Sequence, residues 1–358
     1  MTIPELEPAV TVYDLDGQRR AVRECIEVPE KITLAAFKRM STANRKAWLQ
    51  DREAHHGRSH VVETPAMIEA FGDVHLMMKL NKFRPDDREL YLISGRPGSG
   101  KTTIARSIGR EHEKHYAAQY PRYRSSGEIP VVFVATPAKC SPTAFDHAVL
   151  TFMHHSYPDN FTHQKLKARV VQALRNHRVQ LVIIDDLHRL KPTSNSNIET
   201  SDLLKEYFDL STATFIYIGV NLTTSGFFRG SAGQQILNRG SLLELEPFSN
   251  ELGPARDQWR RVVSELEDNL RLLRHTRGTL TSTTMLALLY NRTHGSLNAL
   301  NKLLQTATER ATTIPDDTTK TVRNLGIVGK ERIDIDLIRT IKPMAAVTVE
   351  RKRRKATR

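Results

Sequence analysis

Residues 90–102 read Leu-Tyr-Leu-Ile-Ser-Gly-Arg-Pro-Gly-Ser-Gly-Lys-Thr, an apolar run followed by a glycine-rich loop that ends in Lys101 and Thr102. The loop fulfils the pattern G-x-x-x-x-G-K-[ST] directly after a predicted strand, Leu90–Ser94, and directly before a predicted helix. Glycines let backbone N–H groups approach a phosphate chain closely, and the start of a helix adds the positive end of its dipole. The stretch therefore predicts a phosphate-binding loop, the P-loop, within an α/β fold.

The P-loop pattern also assigns roles to individual side chains. We expect Lys101 to reach the β- and γ-phosphates of ATP and the Thr102 hydroxyl to ligate Mg²⁺. ATP and Mg²⁺ are therefore the predicted cofactors. The predicted nucleotide-binding residues are Gly95, Pro97, Gly98, Ser99, Gly100, Lys101, Thr102 and Thr103.

Continuous apolar strands alternate with helical patterns in the middle of the chain. After the P-loop, strands are expected at Pro130–Ala135, Gln180–Ile184, Thr214–Gly219 and Leu242–Glu246, and a helical pattern precedes each of them. Fully apolar strands separated by helices indicate a parallel sheet that is covered on both faces. Beyond Phe248 the strands stop and three helical patterns follow. The predicted fold class is α/β, with a small all-helical lid.

These patterns divide the chain into four expected segments. An N-terminal helical extension covers residues 1–60, and the α/β nucleotide-binding core covers residues 61–248. The helical lid covers residues 249–311. A C-terminal segment over residues 312–358 carries a short strand at Arg332–Leu337 and ends in a basic tail that we expect to be disordered.

A pair of carboxylates follows the strand Leu181-Val-Ile-Ile, as in a Walker B motif. Open parallel sheets bind their ligands at the carboxyl ends of the strands, where Asp185 and Asp186 stand. We expect Asp185 to hold Mg²⁺ through water. Asp186 stands where a glutamate normally orients the attacking water. Because its side chain is one methylene shorter, hydrolysis is expected to be slow or to use a rearranged water.

Two further residues are candidates for catalysis. Asn221 ends the next strand, and its amide can hydrogen-bond the γ-phosphate or the attacking water, although an asparagine is also a common turn residue. Arg239 follows a helical pattern and precedes the last strand, a position that resembles the arginine finger of AAA+ ATPases. Such an arginine neutralises charge on a neighbour's γ-phosphate in trans. A surface arginine without a role is the alternative.

The order of these motifs over about residues 61–311 resembles the AAA+ ATPases, and within them the TniB/TnsC family of transposition regulators. One departure is Asn298, because many AAA+ lids carry a sensor-2 arginine there; Lys302 is a possible substitute. The subfamily resemblance is carried by Thr64–Ala66, the loop GRPGSGKTTIAR, the strand exit VVFVATP before Phe145, Ile183–Leu190, and Gly295–Leu304 with Ala307.

The resemblance implies hydrolysis of ATP to ADP and phosphate, and assembly of identical subunits into rings or filaments around duplex DNA. It also implies recruitment of a transposase and of a target-selection protein of the TniQ type. Separately from the resemblance, the segment after the second strand could line a central pore, with Lys139 and Thr143 on the DNA phosphates; a lysine in a solvated loop is the alternative for Lys139. Such contacts predict salt-sensitive binding that tolerates any DNA sequence.

Charge and composition are compatible with this reading. The net charge is +13, and the last nine residues carry six of the basic side chains. An excess of positive charge favours a polyanionic partner such as nucleic acid. No apolar stretch approaches a membrane span, the first ten residues lack a secretory pattern, and two cysteines fit a reducing cytoplasm. We therefore expect a cytoplasmic protein without a membrane partner.

Two other classes share the predicted core. A STAND-like signalling NTPase would bind nucleotide without DNA. Such switches usually have a Thr-Thr-Arg-type sequence at the end of this strand, whereas the strand here ends Gly219-Val-Asn221. A helicase loader or initiator ATPase would differ only in its partner.

Overall fold

The computed structural model describes residues 13–23, 28–58, 60–137, 141–158, 161–189, 196–224, 228, 230–313 and 327–342. The described residues fall into two compact units. The first unit is formed by those of residues 1–24 and 65–246, and the second by those of residues 25–64 and 247–358. The segment expected to be one N-terminal extension is therefore shared between the two units.

The first unit contains a five-stranded sheet in the order β2-β3-β4-β1-β5, and every neighbouring pair of strands is parallel. This arrangement confirms the predicted fold class. The carboxyl ends of all five strands consequently lie on one side of the sheet, here called the carboxyl-terminal edge. The side on which the strands begin is called the amino-terminal edge. The strands are β1 (Leu90–Gly95), β2 (Val131–Ala135), β3 (Leu181–Asp185), β4 (Thr214–Gly219) and β5 (Gly240–Leu245).

Thirteen α-helices lie within the described ranges. In that part of the chain, no helix is both long and apolar enough to cross a bilayer. Helices α1 and α4 to α9 belong to the first unit, and the others to the second. The helices are α1 (Leu15–Arg23), α2 (Leu34–Arg39), α3 (Thr42–His56), α4 (Pro65–Asn81), α5 (Lys101–Gln119), α6 (Pro142–Phe152), α7 (His163–Asn176), α8 (Ser196–Leu210), α9 (Ser231–Asn238), α10 (Pro254–Asp268), α11 (Thr283–Thr293), α12 (Leu297–Thr313) and α13 (Ile335–Thr340).

Burial explains why the central strands read as continuous apolar runs. Every residue of β1, β3 and β4 is buried, because helices cover both faces of the sheet. The edge strand β5 instead alternates in its second half, and Leu242 is 44% exposed. The central strands thus fix the carboxyl-terminal edge of the sheet on a rigid core.

The second unit is helical and has its own core, centred on the fully buried Trp259. The guanidinium of Arg52 on α3 donates to the buried carboxylate of Glu331 at 2.8 Å. At the start of α12 the backbone is tight: Gly295 has φ of +73°, and a Cβ there would lie 1.9 Å from the carbonyl oxygen of Phe248. A glycine is therefore required before α12.

The prediction of a strand at Arg332–Leu337 is wrong. Residues from Ile335 form helix α13, and the Asp334 carboxylate caps it by accepting a hydrogen bond from the Leu337 N–H at 2.9 Å. The alternation of polar and apolar residues imitates a strand over this short stretch. An N-terminal cap decides for the helix, because it satisfies a backbone donor that would otherwise lack a partner.

Candidate functional site

The P-loop connects β1 to α5 at the carboxyl-terminal edge of the sheet. Gly95 has φ of +151°, and a Cβ on it would lie 2.6 Å from the carbonyl oxygen of Leu245 on β5. Gly100 has φ of +97° and immediately precedes the first residue of α5. Only glycine adopts these conformations without strain. The loop therefore turns closely around the start of α5, where its N–H groups can face an anion.

The Lys101 side chain folds over the P-loop. Its ammonium donates hydrogen bonds to the carbonyl oxygens of Gly95 at 2.9 Å and Arg96 at 2.8 Å. Burial lowers the pKa of Lys101, and the carboxylates of Asp185 and Asp186 oppose this shift. The structure thus holds a desolvated cation at the loop, at the place where the sequence predicts contact with phosphates.

Thr102 and Asp185 lie together although 83 positions separate them. The Thr102 hydroxyl donates to Oδ2 of Asp185 at 2.7 Å. Asp185 is 1% exposed, and burial raises the pKa of its carboxyl, while the bond from Thr102 opposes the shift. Two oxygen groups that the sequence assigns to one magnesium ion are therefore neighbours.

Asp186 turns away from the strand direction. Its φ is +58°, and its N–H donates to Oδ1 of Asp185 at 2.7 Å. Its carboxylate forms an ion pair with the guanidinium of Arg189, with an N–O distance of 2.8 Å. Aspartate tolerates this left-handed conformation better than most residues. The proposed water-orienting carboxylate is consequently held by a partly exposed arginine from the same turn.

The residues present fit ATP and Mg²⁺ on chemical grounds. The hydroxyl of Thr102 and the carboxylate of Asp185 are hard oxygen donors, which Mg²⁺ prefers. The Ser99 Oγ in the P-loop is buried and has no hydrogen-bond partner among the described residues. A buried hydroxyl without a partner is costly, and a phosphate oxygen would satisfy it.

Ser94, Glu244 and Tyr13 also lie at this edge, and none of them belongs to a local sequence motif. The buried Ser94 at the end of β1 donates to Oε1 of Glu244 on β5 at 3.0 Å and accepts from the N–H of Leu222 at 3.2 Å. Ser94 therefore joins the edge strand β5 to the segment after β4. The third residue, Tyr13, lies beside Asp185: its hydroxyl donates to Oδ2 at 3.5 Å. Burial and the neighbouring Asp185 raise the pKa of Tyr13, so its hydroxyl stays a donor.

Asn221 lies two residues beyond β4, on the same edge of the sheet as the P-loop. It has φ of +50° and is exposed. Its side chain makes no hydrogen bond to any residue that the structure describes. The P-loop, Asp185 and Asp186 are thus brought together by direct contacts, and Asn221 is not.

Arg239 lies at the amino-terminal edge of the sheet, where the strands begin. It follows α9 as the C-cap residue, and its carbonyl oxygen accepts a hydrogen bond from the N–H of Leu90, the first residue of β1. The P-loop begins at Gly95, the last residue of the same strand. Five residue steps of a strand span about 16 Å. Arg239 is therefore remote from the P-loop of its own chain.

The Arg239 side chain is held at this edge by an ion pair. Its guanidinium lies 3.0 Å from Oδ1 of Asp209 at the end of α8, and both side chains are about one-third exposed. The ammonium of Lys205 contacts the other oxygen of the same carboxylate at 2.5 Å. A carboxylate shared between two cations at the surface leaves the arginine accessible to another partner.

The remaining sequence-predicted residues fall elsewhere. Thr143 is partly buried in the first turn of α6, after the N-cap Ser141. Lys139 and the basic tail lie outside the described residues. In the second unit, Asn298 and Lys302 are exposed on α12. The proposed DNA contacts at Lys139 and Thr143 stay predictions.

Comparison with known proteins supports the fold. Cdc6p of Pyrobaculum aerophilum has a TM-score of 0.51 and 13% sequence identity over 78% of this chain and 68% of that chain. The ADP form of the ORC2 protein of Aeropyrum pernix has a TM-score of 0.50 and 16% identity over 77% and 67%. No curated protein sequence matches significantly. At such identities the likeness concerns the fold alone, which is the P-loop α/β fold of AAA+ ATPases.

The family comparison is made on sequence rather than on fold. The family described as bacterial TniB protein matches residues 52–250. This stretch is more than half of the chain, and it includes both edges of the sheet with their P-loop, paired aspartates and Arg239. The chain belongs to the bacterial TniB protein family.

Proposed function

We propose that the chain is an ATP-dependent, DNA-binding regulator of transposition that oligomerises on duplex DNA and links target-site selection to the transposase. The observation that carries the proposal is the separation of Arg239 from the P-loop across the sheet. An arginine that cannot reach its own nucleotide is suited to the nucleotide of an adjacent copy. Membership of the TniB family supports transposition as the process.

The residues of the P-loop edge have defined tasks in this proposal. Lys101 exchanges its bonds to the loop carbonyls for bonds to phosphate oxygens, and Thr102 with Asp185 holds the metal. Mg²⁺, when bound with ATP, supplies positive charge that offsets the charge of the phosphates during transfer. Phosphoryl transfer needs mainly positioning and charge, and the rigid central strands provide the positioning.

Asp186 sets the rate of hydrolysis in this proposal. Its carboxylate is held by Arg189 at 2.8 Å and its side chain is shorter than that of glutamate. To orient a water, the carboxylate has to share or release this arginine. Slow hydrolysis follows, which suits a switch that limits the lifetime of an assembly rather than a motor.

The second edge of the sheet supplies the contact between copies. Arg239 has to exchange Asp209 for the γ-phosphate of an adjacent copy. Exposed ion pairs contribute about 0–1 kcal/mol, so this exchange is inexpensive. ATP bound at such a junction stabilises the assembly, and hydrolysis weakens it. Repetition of this head-to-tail contact produces a ring or a helical filament.

Duplex DNA is the proposed template for this assembly, in the cytoplasm. The net charge of +13 favours binding to phosphates, and Lys139 and Thr143 are the proposed contacts to the DNA in the pore. Contacts to phosphates carry no sequence information, so target choice has to come from a partner. The proposed partners are a target-selection protein of the TniQ type and the transposase.

Electron microscopy and sedimentation of the purified chain test this proposal. With duplex DNA, Mg²⁺ and a non-hydrolysable ATP analogue, the chain is expected to form rings or filaments that are lost without nucleotide. DNA affinity is expected to fall steeply between low and moderate salt, with little dependence on sequence. A chain that remains monomeric under saturating ATP analogue and DNA would contradict the proposal.

An initiator or helicase-loader ATPase is the second candidate, favoured by the likeness in fold to Cdc6p and the ORC2 protein. It would share the assembly and the salt dependence. The two candidates differ in partner, because a transposition regulator retains a co-expressed transposase and an initiator retains a replicative helicase. A STAND-like signalling NTPase would show no duplex affinity at either salt concentration.

A further inference from the structure

The first described residues form an anchored segment, here called the N-terminal strap and defined as residues 13–23. Helix α1 lies against α5, and Leu15 is 4% exposed. The Gln18 amide donates to the carboxylate of Glu113 on α5 at 2.7 Å and to the carbonyl of Val131 on the edge strand β2 at 3.1 Å. These buried polar contacts fix the strap on the first unit.

Tyr13, at the N-terminal end of the strap, lies at the predicted metal site. The Tyr13 ring lies 5.5 Å from the ring of Phe133 on β2, and the guanidinium of Arg106 on α5 lies 5.4 Å from the Tyr13 ring. These contacts aim the hydroxyl at Oδ2 of Asp185, at 3.5 Å. The ring is therefore held by packing, while the hydroxyl contacts the carboxylate that the proposed magnesium ion requires.

Among the residues that the structure describes, three donors bond to the Asp185 carboxylate. The Asp186 N–H bonds Oδ1 at 2.7 Å, and the hydroxyls of Thr102 and Tyr13 bond Oδ2 at 2.7 and 3.5 Å. A carboxylate offers about four acceptor positions, so few remain for donors that arrive with a hydrated metal. The Tyr13 bond is the longest of the three and therefore the first to yield.

We propose that Tyr13 is a positioning residue that competes with hydrated magnesium for Asp185, so that loading of magnesium and nucleotide displaces the Tyr13 hydroxyl and loosens the N-terminal strap without detaching Leu15 and Gln18. The inference rests on the proposed nucleotide site. It adds a link from the metal ligand to a segment that no nucleotide motif includes.

The decisive variant is Tyr13→Phe, which keeps the ring contacts and removes the hydroxyl. The dissociation constant of the ATP analogue AMP-PNP is measured in Mg²⁺ and in EDTA, and the ratio isolates the contribution of the metal. Tyr13→Phe is expected to increase this metal-dependent gain in affinity about threefold to tenfold, with unchanged affinity in EDTA. Tyr120→Phe is the matched control, because Tyr120 is 46% exposed and its ring contacts Tyr116 rather than the metal site.

Hydrogen exchange of the wild-type chain gives a second reading that does not depend on a variant. The amides of residues 15–23 are expected to exchange faster with AMP-PNP and Mg²⁺ than with AMP-PNP and EDTA. Equal or slower exchange, or a Tyr13→Phe ratio that is unchanged or lower, would overturn the inference while the nucleotide site stands. A wild-type chain that binds no AMP-PNP in either condition would instead overturn the proposed function and the inference together.

Discussion

The two edges of the parallel sheet in the first unit are built in different ways. At the carboxyl-terminal edge, Lys101 and Asp185 are nearly fully buried and bond to backbone and hydroxyl groups. At the amino-terminal edge, Arg239 and Asp209 form an ion pair that is about one-third exposed. The same strand, β1, connects the two edges through Gly95 and Leu90.

In the proposed function, the carboxyl-terminal edge is a complete nucleotide-binding loop, and the amino-terminal edge supplies one half of a contact between two copies. Burial at the P-loop fixes the groups that hold nucleotide before it arrives, which reduces the cost of ordering them on binding. The surface ion pair at Arg239 contributes little to the fold and can change partner. We infer that one edge binds the nucleotide and the other edge senses the nucleotide of an adjacent copy, and four substitutions test this division.

Arg239→Ala is expected to have the largest effect, on hydrolysis. Loss of an arginine that acts in trans lowers turnover about a thousandfold, because the charge of the transition state is left without its partner. The affinity of the dilute chain for AMP-PNP is expected to change by less than about twofold. Steady-state hydrolysis on DNA and nucleotide titration at low protein concentration measure the two effects. A large loss of affinity in the dilute chain would contradict an assignment in trans.

Lys101→Ala is expected to weaken nucleotide binding about a hundredfold, since it removes the buried ammonium that is proposed to bind the phosphates. Titration with a fluorescent ATP analogue measures the effect, and assembly on DNA is expected to disappear with it. Lys114→Ala is the matched control, because Lys114 lies on the same helix and its one ion pair within the described ranges is the exposed one with Glu111. Equal DNA-bound assembly of Lys101→Ala with and without ATP would contradict the account.

Asp185→Asn is expected to change how stability depends on pH. Burial raises the pKa of this carboxyl above its ordinary value. Its contribution to stability is therefore present below the unfolded pKa, about 4, and is lost as pH rises through the folded pKa. The difference in melting temperature, variant minus nucleotide-free wild type, is expected to become more positive from pH 4 to pH 7. Added ATP and Mg²⁺ are expected to stabilise only the wild type strongly.

A constant difference in melting temperature across that pH range would contradict the effect of burial at Asp185. Thr136→Ala provides a comparison variant without a titratable group, because the Thr136 hydroxyl donates to the Asp185 carbonyl at 2.8 Å. Its melting temperature relative to the wild type is expected to be independent of pH.

Asp209→Asn is expected to have the smallest effect. An ion pair that is one-third exposed contributes about 0–1 kcal/mol to the free energy of unfolding, so urea unfolding changes little. Hydrolysis on DNA is expected to stay within about twofold of wild type, because Arg239 itself is intact. A loss of stability above about 2 kcal/mol would show that this edge is a structural ion pair instead of an exchangeable contact.

The fold class could be predicted from the sequence, because its signal is local. The loop, the buried strands and the order of motifs all follow from short patterns, and the sheet agrees with them. The strand expected at Arg332–Leu337 failed because a few alternating residues fit a strand as well as the first turn of a capped helix.

Long-range contacts could not be predicted in the same way. Tyr13 contacts Asp185 across 172 positions, and no short pattern around Tyr13 marks it. Ser94 meets Glu244 only because β5 lies beside β1, which requires the strand order. The sequence indicated an arginine before the last strand. Its place at the edge opposite the P-loop follows from the register of β1 with β5.

A mixing experiment tests the shared site most directly. The Arg239→Ala chain keeps its P-loop and the Lys101→Ala chain keeps its arginine, so each is expected to hydrolyse ATP poorly alone. Mixed in equal amounts on DNA, they are expected to restore part of the hydrolysis, because a junction between the P-loop of the Arg239→Ala chain and the arginine of the Lys101→Ala chain contains both intact groups. A mixture that hydrolyses no faster than the two separate chains together would contradict a site shared between copies.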